Sequence, residues 1–247
     1  MRLQGKTAIV TGAGSGFGAG IARRFAAEGA RVMVADINAE AAKVIADEIG
    51  GIAQGVDVGK GESVAAMAAA AEAAFGGAPD ILVNNAGVTH LPAYMEDVSE
   101  ADFDRVMLVN AKSVYLTARA LVPGMKARKS GAILNVASTA GVSPRPKLNW
   151  YNASKGWMIT ATRAMAVELA PFGVRVNAIN PVAGETPLLK SFMGEDTPEM
   201  RAKFLSTIPI GRFSTPEDMA NAALFLCSDE AGMVTGVAME VDGGRCI

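Results

Sequence analysis

The stretch Thr11-Gly12-Ala13-Gly14-Ser15-Gly16-Phe17-Gly18 constrains this chain more than any other. It follows a short β-branched run, Thr7–Thr11, and leads directly into an amphipathic segment, Phe17–Glu28. Glycines between a strand and a helix allow the tight reversal and let the backbone approach a ligand closely. A pyrophosphate there rests on the helix N-terminus, whose first N–H groups lack partners within the helix.

The same alternation of β-branched runs and Ala-rich amphipathic stretches continues from Lys6 to Asn180. Strands are expected at Thr7–Thr11, Arg31–Ala35, Ile52–Val56, Ile81–Asn84, Ala132–Ala137 and Val174–Ile179, with an edge strand at Val237–Val241. Several of these runs are apolar at consecutive positions, the pattern of strands covered on both faces. The fold class expected is therefore α/β: a doubly wound parallel sheet of about seven strands with helices on both faces. Ser99 with Asp102, and Thr215 with Pro216 and Asp218, read as helix starts. No Pro/Ser-rich linker and no repeat interrupts the chain, so residues 1–247 read as one domain. Half of the residues are apolar, enough for a large core.

Composition excludes several classes of function. The net charge is −2 with acidic and basic residues mixed and no basic stripe, which argues against nucleic acid. Apolar runs are short and broken, so no membrane span is expected. Met1 leads into a polar turn without a signal-peptide pattern, and Cys227 and Cys246 are too few for a disulfide framework; the expected location is the cytoplasm. His90 is the sole histidine and no cysteine cluster accompanies it, so no metal site is expected and His90 reads as a bystander.

Strand ends carry the remaining candidates. Asp36 closes the second strand, where a carboxylate accepts both ribose hydroxyls of an adenosine and repels a 2′-phosphate. Ser15 stands where an arginine would suit that phosphate, so NAD is favoured over NADP. Asp57-Val58 ends the third strand within reach of an adenine amino group, and Asn84-Asn85-Ala86-Gly87 ends the fourth beside space for a flat ring. Ser138 ends the fifth, and Asn110 interrupts the long helical region Ala101–Arg128, where a kink would give it a use. Tyr151 and Lys155 lie four apart at the start of a helical segment closed by Pro171 and Gly173, which puts them on one face about 5–6 Å apart at Cβ. An adjacent cation favours tyrosinate, so this phenol is expected to titrate below its ordinary value of roughly 10.

Together these residues resemble the short-chain dehydrogenase/reductase family in its compact form, nearly end to end from Lys6 to Gly244. Its T-G-x-x-x-G-x-G turn matches Thr11 to Gly18, and its N-N-A-G matches Asn84 to Gly87. The resemblance implies a Rossmann fold, a homotetramer, and Asn110, Ser138, Tyr151 and Lys155 as the catalytic set. In that set Tyr151 exchanges a proton with the substrate oxygen, Ser138 hydrogen-bonds it, Lys155 holds the nicotinamide ribose and Asn110 anchors a water. The cofactor residues it implies are Gly12, Ser15, Gly16, Phe17, Gly18, Asp36, Ile37, Asp57, Val58, Asn84, Ala86, Gly87, Tyr151, Lys155, Pro181, Val182, Gly184 and Thr186. Residues 182–207 would cover the substrate.

One departure stands out. Such enzymes usually carry Pro-Gly after the sixth strand; here Val182 follows Pro181, and Gly184 occupies a position usually held by Val or Ile. The C-terminal stretch Val241–Ile247 is similar to enzymes labelled 3-oxoacyl-acyl-carrier-protein reductases, which generally use NADPH. With Ser15 and Asp36 the expectation is an NAD(H)-dependent oxidoreductase of a small ketone and its secondary alcohol, with the acyl-carrier reductase as alternative. A methyltransferase has no use for the Tyr/Lys pair, and an extended-family epimerase needs a further substrate domain. A dinucleotide-binding sensor or scaffold is the non-enzyme alternative.

Overall fold

A computed structural model describes residues 1–247. Seven strands, β1 (Thr7–Thr11), β2 (Arg31–Asp36), β3 (Ile52–Gly55), β4 (Ile81–Asn84), β5 (Gly131–Val136), β6 (Val174–Pro181) and β7 (Ala238–Val241), form one sheet. Their order is β3-β2-β1-β4-β5-β6-β7 and all neighbours are parallel. This is the doubly wound sheet that the sequence pattern predicts. Two strands run further than their β-branched cores suggest: pairing of Asp36 with Gly55 extends β2, and pairing of Pro181 with Val241 extends β6. A neighbouring strand supplies those bonds, so propensity alone does not mark the ends.

The helices are α1 (Gly16–Ala27), α2 (Ala39–Ile49), α3 (Gly61–Phe75), α4 (Glu100–Met107), α5 (Ser113–Arg128), α6 (Asn149–Leu169), α7 (Leu189–Met193), α8 (Pro198–Leu205) and α9 (Pro216–Cys227). Successive side chains of a strand point to opposite faces, and β1 illustrates how both faces are filled. Ala8 and Val10 pack with Ile21 and Phe25 of α1 and with Met219 and Leu224 of α9. Ile9 points the other way, into a core built with Met67 of α3, Leu121 and Met125 of α5, and Leu169 of α6. Each such fully buried large side chain contributes about 1.5–3 kcal/mol. Thr215 caps α9 in a reciprocal box with Asp218, and Ser99 caps α4, as their spacing predicts.

Two features place the site. The strand order reverses between β1 and β4, so the crossovers part there and leave a crevice at the carboxyl ends of the strands. The helical region from α4 to α5 contains a π-turn at Leu108–Lys112, centred on Asn110. Such turns are single-residue insertions that bend a helix.

Candidate active site

The glycine turn is built by close approach. Gly12 has φ +62°, and a Cβ there would lie 2.8 Å from Ala86 Cα. Only a residue without a side chain brings the β1 turn against the end of β4 in this way. Asp36 fixes the turn from the next strand: its Oδ2 accepts from Gly14 N–H at 2.9 Å and its Oδ1 from Asn38 N–H at 2.9 Å. The carboxylate therefore shapes the turn as well as facing the cleft.

The two asparagines after β4 divide their work. Asn85 donates from Nδ2 to the carbonyls of Thr11 and Gly12 at 2.8 and 2.9 Å, and its N–H meets Thr11 Oγ1 at 3.1 Å, tying the end of β4 to the turn. Asn84 points the other way, donating to Asn135 Oδ1 on β5 and accepting from Thr117 Oγ1 on α5, both at 2.9 Å. Asn135 in turn donates to Thr162 on α6 at 2.9 Å. That buried chain stitches the sheet to two helices. Asn84 does not reach the cleft, contrary to its place in the cofactor set; Asn85 does. Gly18 likewise lies beneath the lining, packed against the Gly12 carbonyl and the Asn85 amide. In both cases the residue shapes the pocket from behind.

The cleft, about 450 Å³, runs from Asp36 and Ile37 at one end, past Gly12, Ser15, Gly16, Phe17, Asp57, Val58, Ala86 and Gly87, to Ser138, Tyr151 and Lys155. Pro181, Val182, Gly184 and Thr186 form its far wall. A glycine cradle, an acid at the second strand end and apolar walls suit an adenine dinucleotide. Asn110 stays outside the lining. Its Oδ1 accepts from Val88 N–H and its Nδ2 donates to Val88 carbonyl, both at 2.9 Å, and Nδ2 also reaches Ser154 Oγ at 3.0 Å. The amide clamps the loop after β4 to the π-turn and makes no hydrogen bond to Lys155, so any proton path through it would need a water.

Tyr151, Ser138 and Lys155 are brought together, but the electrostatics differ from the sequence expectation. The Tyr151 phenol is pushed up to about 12 by burial, against smaller lowering effects from the Ser138 hydroxyl and the Arg145 guanidinium. Lys155 is pushed down to about 8 by burial. Its ammonium donates to Val136 carbonyl at 2.8 Å and lies 5.9 Å from the centre of the Tyr151 ring. Sequence spacing predicts the neighbours correctly and the direction of the tyrosine shift wrongly. Spacing carries no information about desolvation, which dominates for both groups. Burial thus favours the protonated form of the phenol.

Residues 182–207 fold over the cleft as α7 and α8. Leu188 and Phe192 face it, the latter packed edge-on against Tyr151 at 5.1 Å between ring centres. Leu189 and Met193 instead join Val182, Ile208 and Phe213 in a small core of their own. Leu148 lines the cleft, while Trp150 packs against Phe103 and donates to Met95 carbonyl. His90 lies outside, its Nδ1 2.8 Å from Leu91 carbonyl. Among the lining residues that the sequence reading did not name are Asn85, Arg145 and, within the expected cover, Phe204. Asn85 sat inside a recognised motif and Phe204 lies on α8, while Arg145 lies in an irregular loop with no local signal.

Comparison with known proteins agrees with this geometry. A family model described as enoyl-(acyl carrier protein) reductase matches residues 12–245. The chain is 51% identical, over the full length of both, to 4-formylbenzenesulfonate dehydrogenase of Comamonas testosteroni. It is similar to the crystal structure of a 3-ketoacyl-(acyl-carrier-protein) reductase from Brucella melitensis complexed with NADH: TM-score 0.95, 50% identity, covering 99% of this chain and 100% of that one. It also resembles a 7α-hydroxysteroid dehydrogenase complexed with NADH and 7-oxo glycochenodeoxycholic acid: TM-score 0.92, 41% identity, covering 98% and 95%.

Proposed function

The chain belongs to the short-chain dehydrogenase/reductase family, and from that premise we propose that Tyr151 is the acid–base group of a reversible, NAD(H)-dependent interconversion of a carbonyl and its alcohol. The protein is an oxidoreductase acting on CH–OH groups. NAD(H), when bound, supplies or accepts the hydride at the carbonyl carbon. Gly12, Ser15, Gly16 and Asp36 would hold its adenosine and phosphate end; Pro181, Val182, Gly184 and Thr186 would hold the nicotinamide end.

The observation that carries the reading is the convergence of the Tyr151 phenol, Ser138 and Lys155 on one cleft whose other end is the glycine turn with Asp36. In reduction Tyr151 gives its proton to the forming alkoxide, and burial keeps the phenol in that protonated form. In oxidation it takes the proton back. Ser138, whose Oγ already accepts from Ala140 N–H at 3.0 Å, donates its own proton to the substrate oxygen and so stabilises developing charge. Lys155, held on Val136 carbonyl, has further donors for the ribose. Asn110 positions the loop after β4.

The relative at 51% identity is named for an aromatic formyl compound, so aldehydes belong beside ketones in the substrate panel. A second reading, reduction of a 3-oxoacyl thioester, is favoured by the name of the 50%-identical structure. No helix is long and apolar enough to cross a membrane. A cytoplasmic homotetramer is our further reading, supported by exposed apolar side chains along α4, α5 and α6: Phe103, Tyr115, Trp157 and Val167. Sedimentation tests it, and a monomer would overturn it.

The deciding assay monitors NADH and NADPH absorbance with ketones, aldehydes, secondary alcohols and an acetoacetyl thioester, alongside fluorescence titration of NADH. Turnover of small carbonyls with NADH supports the reading, and turnover of the thioester alone favours the second. Tight NADH binding with no turnover of any of them would make the protein a sensor.

A further inference from the structure

One charged side chain in the cleft is not needed for hydride transfer itself, although its charge acts weakly on the Tyr151 phenol. Arg145 lies in the Ser143-Pro144-Arg145-Pro146 loop between Ser138 and α6, and lines the cleft beside Tyr151. Its guanidinium stacks over the Phe204 ring of the cover, 4.4 Å from the ring centre. Its backbone carbonyl accepts from Asn152 Nδ2 at 2.7 Å, but the guanidinium donors meet no acceptor and no carboxylate within the chain. A second guanidinium, Arg245, repels it; Arg245 Nη1 reaches Ser143 Oγ at 3.4 Å and its buried Nε has no partner.

Two like charges held close together and without a counter-ion are unfavourable, and burial lowers the Arg145 pKa in keeping with that. An arginine stays protonated nonetheless, and its planar fork matches an oxyanion bidentately. Leu148 and Phe192 pack against Tyr151, and Leu188 also lines this cleft, so apolar walls accompany the fork and the phenol. A ligand with an oxyanion at one end, a flat or apolar body and a carbonyl at the other satisfies every one of these groups.

We propose that Arg145 is the specificity-determining residue of this cleft and binds a carboxylate or sulfonate on the substrate, so that the enzyme acts on small carbonyl compounds and alcohols bearing an oxyanion. The proposal rests on the hydride-transfer reading for its carbonyl end, and on Arg145 alone for its anionic end.

The test compares 4-formylbenzoate with its methyl ester, and the matching sulfonate with its sulfonamide, using NADH; the 4-acetyl pairs run beside them. The wild type is expected to favour the anionic member of each pair by about 10- to 100-fold in kcat/KM, mainly through KM, as for a hydrogen-bonded charge. Arg145→Met should bring that ratio close to one, and Arg145→Lys should restore part of it. Preference for the carboxylate pair alone, or the sulfonate pair alone, identifies which oxyanion fits. Calorimetric binding of benzoate and benzenesulfonate, in the presence of NADH, reads the anion site without turnover. Anions that bind wild type and not Arg145→Met, with no carbonyl turned over, would sustain the anion site while sinking the hydride-transfer reading. Equal rates for charged and neutral partners in the wild type, or a ratio unmoved in both variants, would overturn the proposal.

Discussion

Adding a single methyl group at Gly184 probes the contact by which this chain departs from its family's usual pattern. A Cβ on Gly184 would strike Phe17 Cζ, approach Phe17 Cε1 to 2.7 Å and Ser214 Oγ to 2.6 Å. The ring of Phe17 thus fills the space a larger residue would take, and the two positions are coupled. The Gly184 segment cannot simply retreat. It bridges to Ser214, where Glu185 N–H donates to Ser214 carbonyl at 2.9 Å and Ser214 N–H to Ala183 carbonyl at 3.2 Å. Overpacking of this kind costs about 1–3 kcal/mol, which in a chain of 247 residues lowers Tm by about 2–12 °C.

Phe17 also lines the cleft, so a displaced ring intrudes on the cofactor path and NADH affinity should fall about tenfold, the equivalent of about 1.4 kcal/mol. In a Phe17→Ala background the added methyl meets no ring. There only the Ser214 hydroxyl still stands in the way, so Gly184→Ala should cost less by about 0.5–2 kcal/mol, the coupling energy of the pair. Urea unfolding of the four proteins of this cycle, with fluorescence titration of NADH, measures both effects. A Gly184→Ala protein with wild-type midpoint and affinity would refute the reasoning, as would an equal loss with and without the Phe17 ring.

Three further outcomes follow from the same geometry. Tyr151→Phe removes the acid with little change in volume, so turnover should fall about 10²–10⁴-fold with NADH binding retained, and unchanged turnover would end the assignment. Asp36→Ala should open the cofactor site to NADP(H), while loss of its bonds to Gly14 and Asn38 N–H lowers stability by about 1–3 kcal/mol; rates with the two cofactors and a melting curve check both parts. Lys155 has a folded pKa of about 8, below its free value of roughly 10.4. The unfolded chain therefore binds the extra proton between these values, and stability from this group is present at high pH and lost as pH falls through about 8. Urea midpoints from pH 7 to 10 should rise in wild type relative to Lys155→Met, and parallel profiles would contradict the burial argument.

What the sequence determined by itself was whatever depends on neighbours along the chain. Alternating β-branched and amphipathic stretches specified a parallel, doubly wound sheet, because each run must bury a face set by its own period. The glycine turn between β1 and α1 marked the phosphate end, and four-residue spacing put Tyr151 beside Lys155. Even the interruption at Asn110 was legible, since an amide is poorly placed within a regular helix; it takes the form of a π-turn.

The tertiary structure decided everything that depends on which surfaces meet. Adjacent asparagines at the end of β4 face opposite ways, so sheet orientation, not motif membership, sent Asn84 into the buried polar chain and Asn85 to the cleft. Packing of the surrounding layers desolvated Tyr151 and Lys155, and so reversed the direction in which the phenol shifts. Arg145 and Phe204 meet from segments far apart in the chain, and Phe17 occupies the space left by Gly184. The physical reason is common to these cases: burial and approach across the fold are collective quantities, summed over residues that no local spacing connects.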